Sequence, residues 1–490
     1  MKAALAALAL FCLSACTVGP DFERQAPPDA NQGYQVLGEA GPSHSGAGQR
    51  IRGDWWRLFG SADLDDVVVL AMARNQDMVA ARATLAQIQQ QARATAGVYY
   101  PQLGLQGAAT REKVNFTSFG LDFPSNTLNL YSVGATVFYA LDLFGHDRRM
   151  VEAADAAAEA EGYRLKGAIL TVTGTLVMRA FDAAALDSQI ALISALTEED
   201  QRQLDLLRSA RQAGTVSDRT LAEAEGQLAS DFALLPALRS QLAAIRHDMA
   251  VLVGKTPGEW SPPGFTTTSF SLPADIPVSV PSDLVRQRPD ILAAEADLHA
   301  SAAAIGMAEA NRFPRLMLTA DITQWATRPG QLWRDAATGA GVSGGITAPL
   351  FQGGQLEAAQ SAAEHAYQAS LARYRQTVLQ AFAQVGTLLQ GLAQDEEQRR
   401  QTGLAAKASD QALHFAELER SSGTQGVLPL LAAERQAKLS RLAVIQSQAQ
   451  ILKDTAGLFL AMGGGTLVRP NPSNERAMDM ETPFALPPSD

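Results

Sequence analysis

The chain has 490 residues, 47% hydrophobic and 19% charged, which is enough apolar material for a large core and is unlike a disordered chain. With 40 Lys+Arg against 51 Asp+Glu the net charge is -11, and no long basic run occurs, so nucleic acid is not expected as a partner.

Residues 1–15 have the form of a secretory signal: Lys2 supplies the positive start, and Ala3 to Leu13 form an apolar run too short to span a bilayer. The run ends in Leu13-Ser14-Ala15-Cys16, the pattern of a bacterial lipobox, so Cys16 is the predicted N-terminus and lipid-attachment residue. Several acyl chains on one residue anchor durably where a single chain does not. Thr17 stands where an Asp favours the inner membrane, so the expected destination is the outer membrane. Cys12 falls inside the signal, which leaves the mature chain one cysteine and excludes a disulfide or a cysteine metal site. After the signal no transmembrane helix is predicted, and any membrane crossing must then use strands.

The chain is duplicated. Asn75-Gln76-Asp77 and Tyr100-Pro101-Gln102-Leu103 match Arg288-Pro289-Asp290 and Phe313-Pro314-Arg315-Leu316 at a shift of 213 residues. Gly214-Thr215, Leu221 and Glu225 match Gly423-Thr424, Leu430 and Glu434 at a shift of 209.

Each half begins with a helix of about 20 residues, for which Asp77 and Asp290 are the expected N-caps and which stops before Pro101 or Pro314. Strands are predicted over 101–115 and 128–142 in the first half, and over 314–325 and 340–351 in the second. Residues 131 to 141 alternate: Tyr131, Val133, Ala135, Val137, Tyr139 and Leu141 face one way, Ser132, Gly134, Thr136 and Asp142 the other. The two tyrosines stand about 20 Å apart along a tilted strand, a spacing that suits two aromatic girdles, although a soluble sheet alternates in the same way.

The stretches 146–213 and 354–422 are free of proline and rich in Ala, Leu, Gln, Arg and Glu. They predict two helices of about 100 Å each. Each turns at a glycine, Gly214 or Gly423, and returns as a second helix over 217–253 or 428–462, with Pro429 in a first turn where a missing N–H costs nothing. Four strands per chain cannot close a barrel, since the smallest need about eight. Copies must share one; the arithmetic leaves dimer and trimer open.

Cys16-Thr17-Val18-Gly19-Pro20-Asp21-Phe22, Asp54-Trp55-Trp56-Arg57-Leu58-Phe59, Asn75-Gln76-Asp77, Arg288-Pro289-Asp290-Ile291, Ile305-Gly306 and Phe313-Pro314 occur in order along nearly the whole mature chain. Together they resemble the TolC-like outer-membrane factor family, in its NodT-type efflux lipoprotein branch. The resemblance implies a mainly α fold with a membrane β part: a homotrimer whose twelve-stranded β-barrel continues into a long periplasmic α-barrel. It implies a signal peptide at 1–15, an equatorial lipid-anchored segment at 16–60, repeats at 61–253 and 290–462, an equatorial linker at 254–289 and a Pro-rich end at 463–490. It further implies a passive exit duct without cofactor or enzymatic activity, with a periplasmic adaptor and an inner-membrane RND-type transporter as partners and outer-membrane lipid around the barrel. A duct for type I protein secretion and a non-conducting structural lipoprotein are the alternatives.

The resemblance places adaptor contacts at the hairpin tips, Arg211 to Asp218 and Arg420 to Leu428, with Gly214, Thr215, Val216, Gly423 and Thr424 as the contact residues. It places a periplasmic gate close by. Leu413 and Glu417 share a helix face at i and i+4, and the 209 shift sets Glu417 opposite Arg208, so a link between those two is the expected closing contact.

Gly339-Ala340-Gly341-Val342-Ser343-Gly344 fits GxGxxG but opens a strand pattern, and a dinucleotide site needs a helix next. His44, His146, His247, His299, His365 and His414 are scattered without metal spacing. Trp55-Trp56 is expected to pack.

Overall fold

The structure, a computed structural model, describes residues 17–25, 45–47, 52–114, 126–273, 276–278 and 287–465. The predicted signal at 1–15, Cys16 and the segment 466–490 lie outside the described residues. The chain divides into two compact units: residues 1–25, 84–162 and 293–375 form one, residues 26–83, 163–292 and 376–490 the other. Each unit takes its parts from both halves of the repeat.

The first unit holds an antiparallel sheet of four strands in the order β2-β3-β5-β6, with β2 at Gln102–Val114, β3 at Asn126–Leu141, β5 at Arg315–Ala326 and β6 at Thr338–Thr347. Two hairpins are thus joined through β3 and β5. The predicted fourth strand ran to residue 351, but pairing ends at Thr347, two residues before Pro349, whose ring nitrogen cannot donate to a ladder. The GxGxxG glycines lie inside β6.

The second unit packs around aromatic residues. A short 3-10 helix at Trp55–Phe59 buries Trp55, Trp56 and Phe59. Phe59 meets Phe181 at 4.9 Å between ring centres, and Phe181 meets Phe270 at 4.8 Å. Each fully buried ring of this kind contributes about 2 kcal/mol by leaving water. Trp56 also donates its indole N–H to Asp65 Oδ1 at 2.8 Å. The expected packing role of the Trp pair is therefore what the structure shows. A two-stranded parallel ribbon joins β1 (Ser45–Ala47) to β4 (Ile276–Val278) in the same unit.

Seven helices are described: α1 Ala62–Arg74, α2 Gln76–Ala96, α3 His146–Gln212, α4 Asp218–Leu252, α5 Pro289–Ala310, α6 Gln355–Ser421 and α7 Val427–Ala461. The long pair α3 and α6 have 67 residues each and their returns α4 and α7 have 35 each, so the two hairpins match residue for residue at a shift of 209. No insertion separates them.

Two further expectations are corrected. The cap of α2 is Asn75, not Asp77: Asn75 Oδ1 accepts the backbone N–H of Met78, while its amide donates to the Leu252 carbonyl at 2.9 Å. Asp77 and Asp290 lie inside the first turns of α2 and α5, where a negative charge still suits the helix dipole. Secondly, α3 contains an 18-residue window apolar enough to cross a membrane. More than half of that window is buried in the protein, and Leu176, Val177, Ala180 and Phe181 on α3 are core residues, so its apolarity is that of a packed helix.

Candidate functional site

The register of the four strands sorts their side chains onto two faces. On one face lie Leu103 and Leu105 of β2, Val133, Ala135 and Val137 of β3, Leu318, Ala320 and Ile322 of β5, and Ala340, Val342 and Ile346 of β6. On the other lie Gln106, Thr136, Thr319, Asp321, Thr323, Gly341 and Ser343. The two tyrosines, Tyr131 and Tyr139, share the apolar face, as their spacing predicted.

Among the described residues, nothing covers that apolar face along its outer strands. Val342 is 87% exposed, Leu105 81% and Leu103 76%, whereas a soluble sheet turns such a row inward. Beyond that, β2 and β6 pair on one side only, which leaves a row of unused backbone groups along each edge of the sheet. A four-stranded sheet with a bare apolar face and two open edges is an incomplete object in water.

Residues 17–25 run along this same unit. Val18 donates its N–H to the Phe144 carbonyl at 3.1 Å. Arg149, 4% exposed, donates to the carbonyls of Val18 and Gly19, to Asp21 Oδ1 at 2.8 Å and to Glu152 Oε2 at 2.8 Å. Burial lowers its pKa, and the Glu152 and Asp21 carboxylates outweigh that and raise it. Phe22 stacks on His299 with ring centres 4.5 Å apart, and Arg24 pairs with Glu295 at 3.0 Å. The residues that directly follow Cys16 are therefore fastened one after another.

At the far ends of the long helices the two tips share one geometry. Gly214 has φ +72° and Gly423 φ +74°, a left-handed conformation that L side chains rarely adopt. In each tip the glycine N–H returns to the carbonyl three residues back, and the following threonine N–H to the carbonyl five residues back: Thr215 to Ala210 and Thr424 to Glu419, both at 3.0 Å. The threonine hydroxyls add a second bond to those same carbonyls at 2.9 Å. That explains a Thr after each Gly.

The tips differ in their fasteners. Arg211 forms a two-pronged pair with Asp218, which raises the arginine pKa and lowers that of the carboxylate. The matching positions in the second tip are Arg420 and Val427, so no such clamp exists there. Ser217 caps α4 by accepting from Thr220 N–H, whereas the matching Gly426 has no side chain with which to cap α7.

Leu413 is half-buried on α6 and Glu417 is exposed one turn later. Within one chain Arg208 and Glu417 do not meet: Arg208 donates to Glu225 Oε1 at 3.0 Å and to Asp205 Oδ1 at 3.3 Å, while Glu417 lies 3.9 Å from His414. Sequence reasoning missed Leu206 and Phe415, which occupy matching positions at the 209 shift and are 61% and 62% exposed. Their signal was the repeat itself, an apolar residue kept at one level of both helices where the helix offers it no core.

Deeper in the hairpins lies a polar cluster that the sequence did not announce. Asp231, 2% exposed, accepts from Arg435 at 2.8 Å, Lys438 reaches Glu199 at 2.9 Å, and Gln203 bonds Glu434. Asp200 faces this group with its pKa pushed up to about 6, chiefly by burial. Burial likewise raises the Glu434 pKa.

A family model described as outer membrane efflux protein matches the chain twice, over residues 67–255 and 280–464. The chain is 30% identical to the outer membrane protein OprJ of Pseudomonas aeruginosa over 493 residues, with 94% of this chain and 95% of the relative covered. It is 27% identical to nodulation protein T of Rhizobium leguminosarum bv. trifolii, covering 92% of this chain and 95% of the relative. Among solved structures, the outer-membrane channel OprN superposes with a TM-score of 0.83 at 26% identity, covering 92% of this chain and 99% of that one.

Proposed function

The chain belongs to the outer membrane efflux protein family, and from that premise we propose that it is the outer-membrane duct of a tripartite efflux pump, a passive exit for small molecules across periplasm and outer membrane. The single observation that carries this reading is the sheet. Among the described residues none covers the apolar face of its outer strands, and none pairs with its two edges. Lipid satisfies the first condition and further copies of the chain satisfy the second, because a strand can meet hydrocarbon only when its backbone groups are paired in a closed barrel.

Three copies give twelve strands, with β2 of one pairing to β6 of the next, and the polar face with Gln106, Thr136, Asp321 and Ser343 lining a wet lumen. The duct carries no motor. An inner-membrane transporter of the RND type, joined through a periplasmic adaptor, supplies the energy and selects the substrate. The tips at Gly214-Thr215-Val216 and Gly423-Thr424 meet the adaptor, their backbone held by hydrogen bonds that return to the last turn of each long helix. Leu413, Glu417 and Arg208 form the closing contact, with Arg208 exchanging Glu225 of its own chain for Glu417 of a neighbour. Cys16 carries the lipid, and the fastened run from Val18 to Arg24 supports that assignment by tying the chain just after Cys16 to the unit that holds the sheet.

Planar-bilayer conductance of purified trimer tests the duct. Wild type and Ser343→Arg, on the polar face, are expected to insert and conduct. Val342→Arg, one residue away on the apolar face, costs about 3 kcal/mol in hydrocarbon and is expected not to insert. Equal insertion of the two variants rejects the membrane face, and a wild type that inserts without conducting rejects the duct. For the gate, single-channel conductance of Glu417→Ala and Arg208→Ala should rise; traces identical to wild type reject those residues.

A further inference from the structure

The two hairpins match without a gap, so every position in one has a counterpart in the other at the 209 shift. Leu186 of α3 and Ile245 of α4 pack in the first hairpin, in a cluster with Ala183, Ile190, Leu238 and Leu242. The counterparts of Leu186 and Ile245 at the 209 shift are Asp395 of α6 and Asp454 of α7. An apolar contact has become a meeting of two carboxyls in the middle of a helical hairpin. Asp395 is 8% exposed, and its Oδ2 is buried without a hydrogen-bond partner.

Among the described residues no cation pairs with either carboxyl. On α7 the neighbouring Lys453 turns to Asp182 Oδ1 of α3 at 3.1 Å, and Gln450 donates to Asp454 Oδ1 at 3.0 Å. On α6 the adjacent arginines are engaged, Arg399 with Glu396 and Arg400 with Glu397. Among the described residues, the charged group that acts on Asp395 is therefore Asp454. Two carboxylates cannot stay side by side in such a place, whereas one proton shared between them converts repulsion into a hydrogen bond.

We propose that Asp395 and Asp454 form a proton-operated clasp, which holds α6 against α7 when it carries one proton and loosens the middle of the second hairpin when that proton leaves. Burial and the Asp454 carboxyl together push the Asp395 pKa up to about 7, so the clasp changes state near neutral pH. Its sign is opposite to that of a salt bridge: acid closes it and base opens it. The first hairpin, with Leu186 and Ile245 in the same seats, is insensitive there. The repeat makes a further exchange in the reverse sense. Asp200 and Asp231 of the first hairpin, which stand with Arg435 and Lys438, correspond to Ser409 and Ser440 of the second, whose hydroxyls bond at 2.9 Å. Neutral and carboxyl contacts thus alternate between the hairpins at two levels. This inference concerns packing within one chain and does not depend on conduction.

Hydrogen exchange of the intact trimer in detergent, followed from about pH 5 to about pH 9 and corrected for the intrinsic pH dependence, tests the clasp. Expected is a rise of about tenfold in wild-type exchange at residues 388–400 and 448–458, with a midpoint near 7, while residues 180–192 and 240–250 change little. Asp395→Asn, which keeps a donor for Asp454 at every pH, is expected to remain slow throughout. The double variant Asp395→Leu, Asp454→Ile, which installs the first hairpin's contact, serves if the single variant fails to assemble. Wild-type exchange without a midpoint at 388–400, or variants that follow wild type, overturns the proposal.

Discussion

The two hairpins are alike in every dimension and unlike in what joins their helices. Both have arms of 67 and 35 residues, and both turn on a left-handed glycine followed by a threonine that bonds the same carbonyl twice. Yet one tip is clamped by Arg211 and Asp218 while the other is not, one mid-hairpin contact is Leu186 with Ile245 while the other is Asp395 with Asp454, and an acid pair in the first is a serine pair in the second. The comparison teaches that length and backbone turn are held in common because both hairpins must reach the same level. The chemistry of a given contact drifts, since a seat between two helices asks chiefly for volume.

The largest effect should come from moving the acid pair to the hairpin that lacks it. Leu186→Asp with Ile245→Asp should cost about 4 kcal/mol at neutral pH, seen as a lower melting temperature of the detergent-solubilised trimer, with partial recovery in acid. If the first hairpin accepts the pair without loss, the two seats are not equivalent and the comparison breaks.

The reverse exchange, Asp395→Leu with Asp454→Ile, should stabilise. Burial and the Asp454 carboxyl push the Asp395 pKa from the ordinary 3.8 up to about 7. A carboxyl raised in this way weakens the fold as pH climbs from its ordinary value to its folded one, so the variant should gain about 2 kcal/mol above pH 7 and nothing near pH 4. Melting at the two pH values checks the sign as well as the size.

Valine at either tip glycine sharpens the part that the hairpins share. Gly214→Val and Gly423→Val should each cost about 2 kcal/mol, since both backbones are left-handed. Unequal losses would mean that one tip relaxes where the other cannot. The smallest effect belongs to the clamp. Arg211→Ala should lower the melting temperature slightly in low salt and not at all in high salt, and the difference should fade in acid as Asp218 is protonated, because the pair is fully exposed. Arg420→Ala, without an acid across its tip, should show neither dependence.

Several features were legible from residues alone. The repeat, the two long helices, the glycine turns and the alternation of β3 follow from local rules: period two sorts a strand, helix formers without proline make a rod, and a Gly-Thr after it ends it. The cap of α2 was misjudged because Asn75 and Asp77 are both suitable formers, and only the hydrogen bond from Asn75 to the Leu252 carbonyl decides between them. The apolar window in α3 was missed for a similar reason, as its Phe181 has partners far along the chain in Phe59 and Phe270.

The amino-acid order by itself determined how long each arm is, where it turns and which strand face is apolar, because those properties arise between residues a few positions apart. Only the tertiary structure decided that no described residue covers the apolar face of the outer strands, that Arg208 spends its charge on Glu225, and that Asp395 faces Asp454 with no cation among the described residues pairing with either. Such outcomes depend on which side chains distant in sequence arrive at one place, and on whether water or a counter-charge arrives with them.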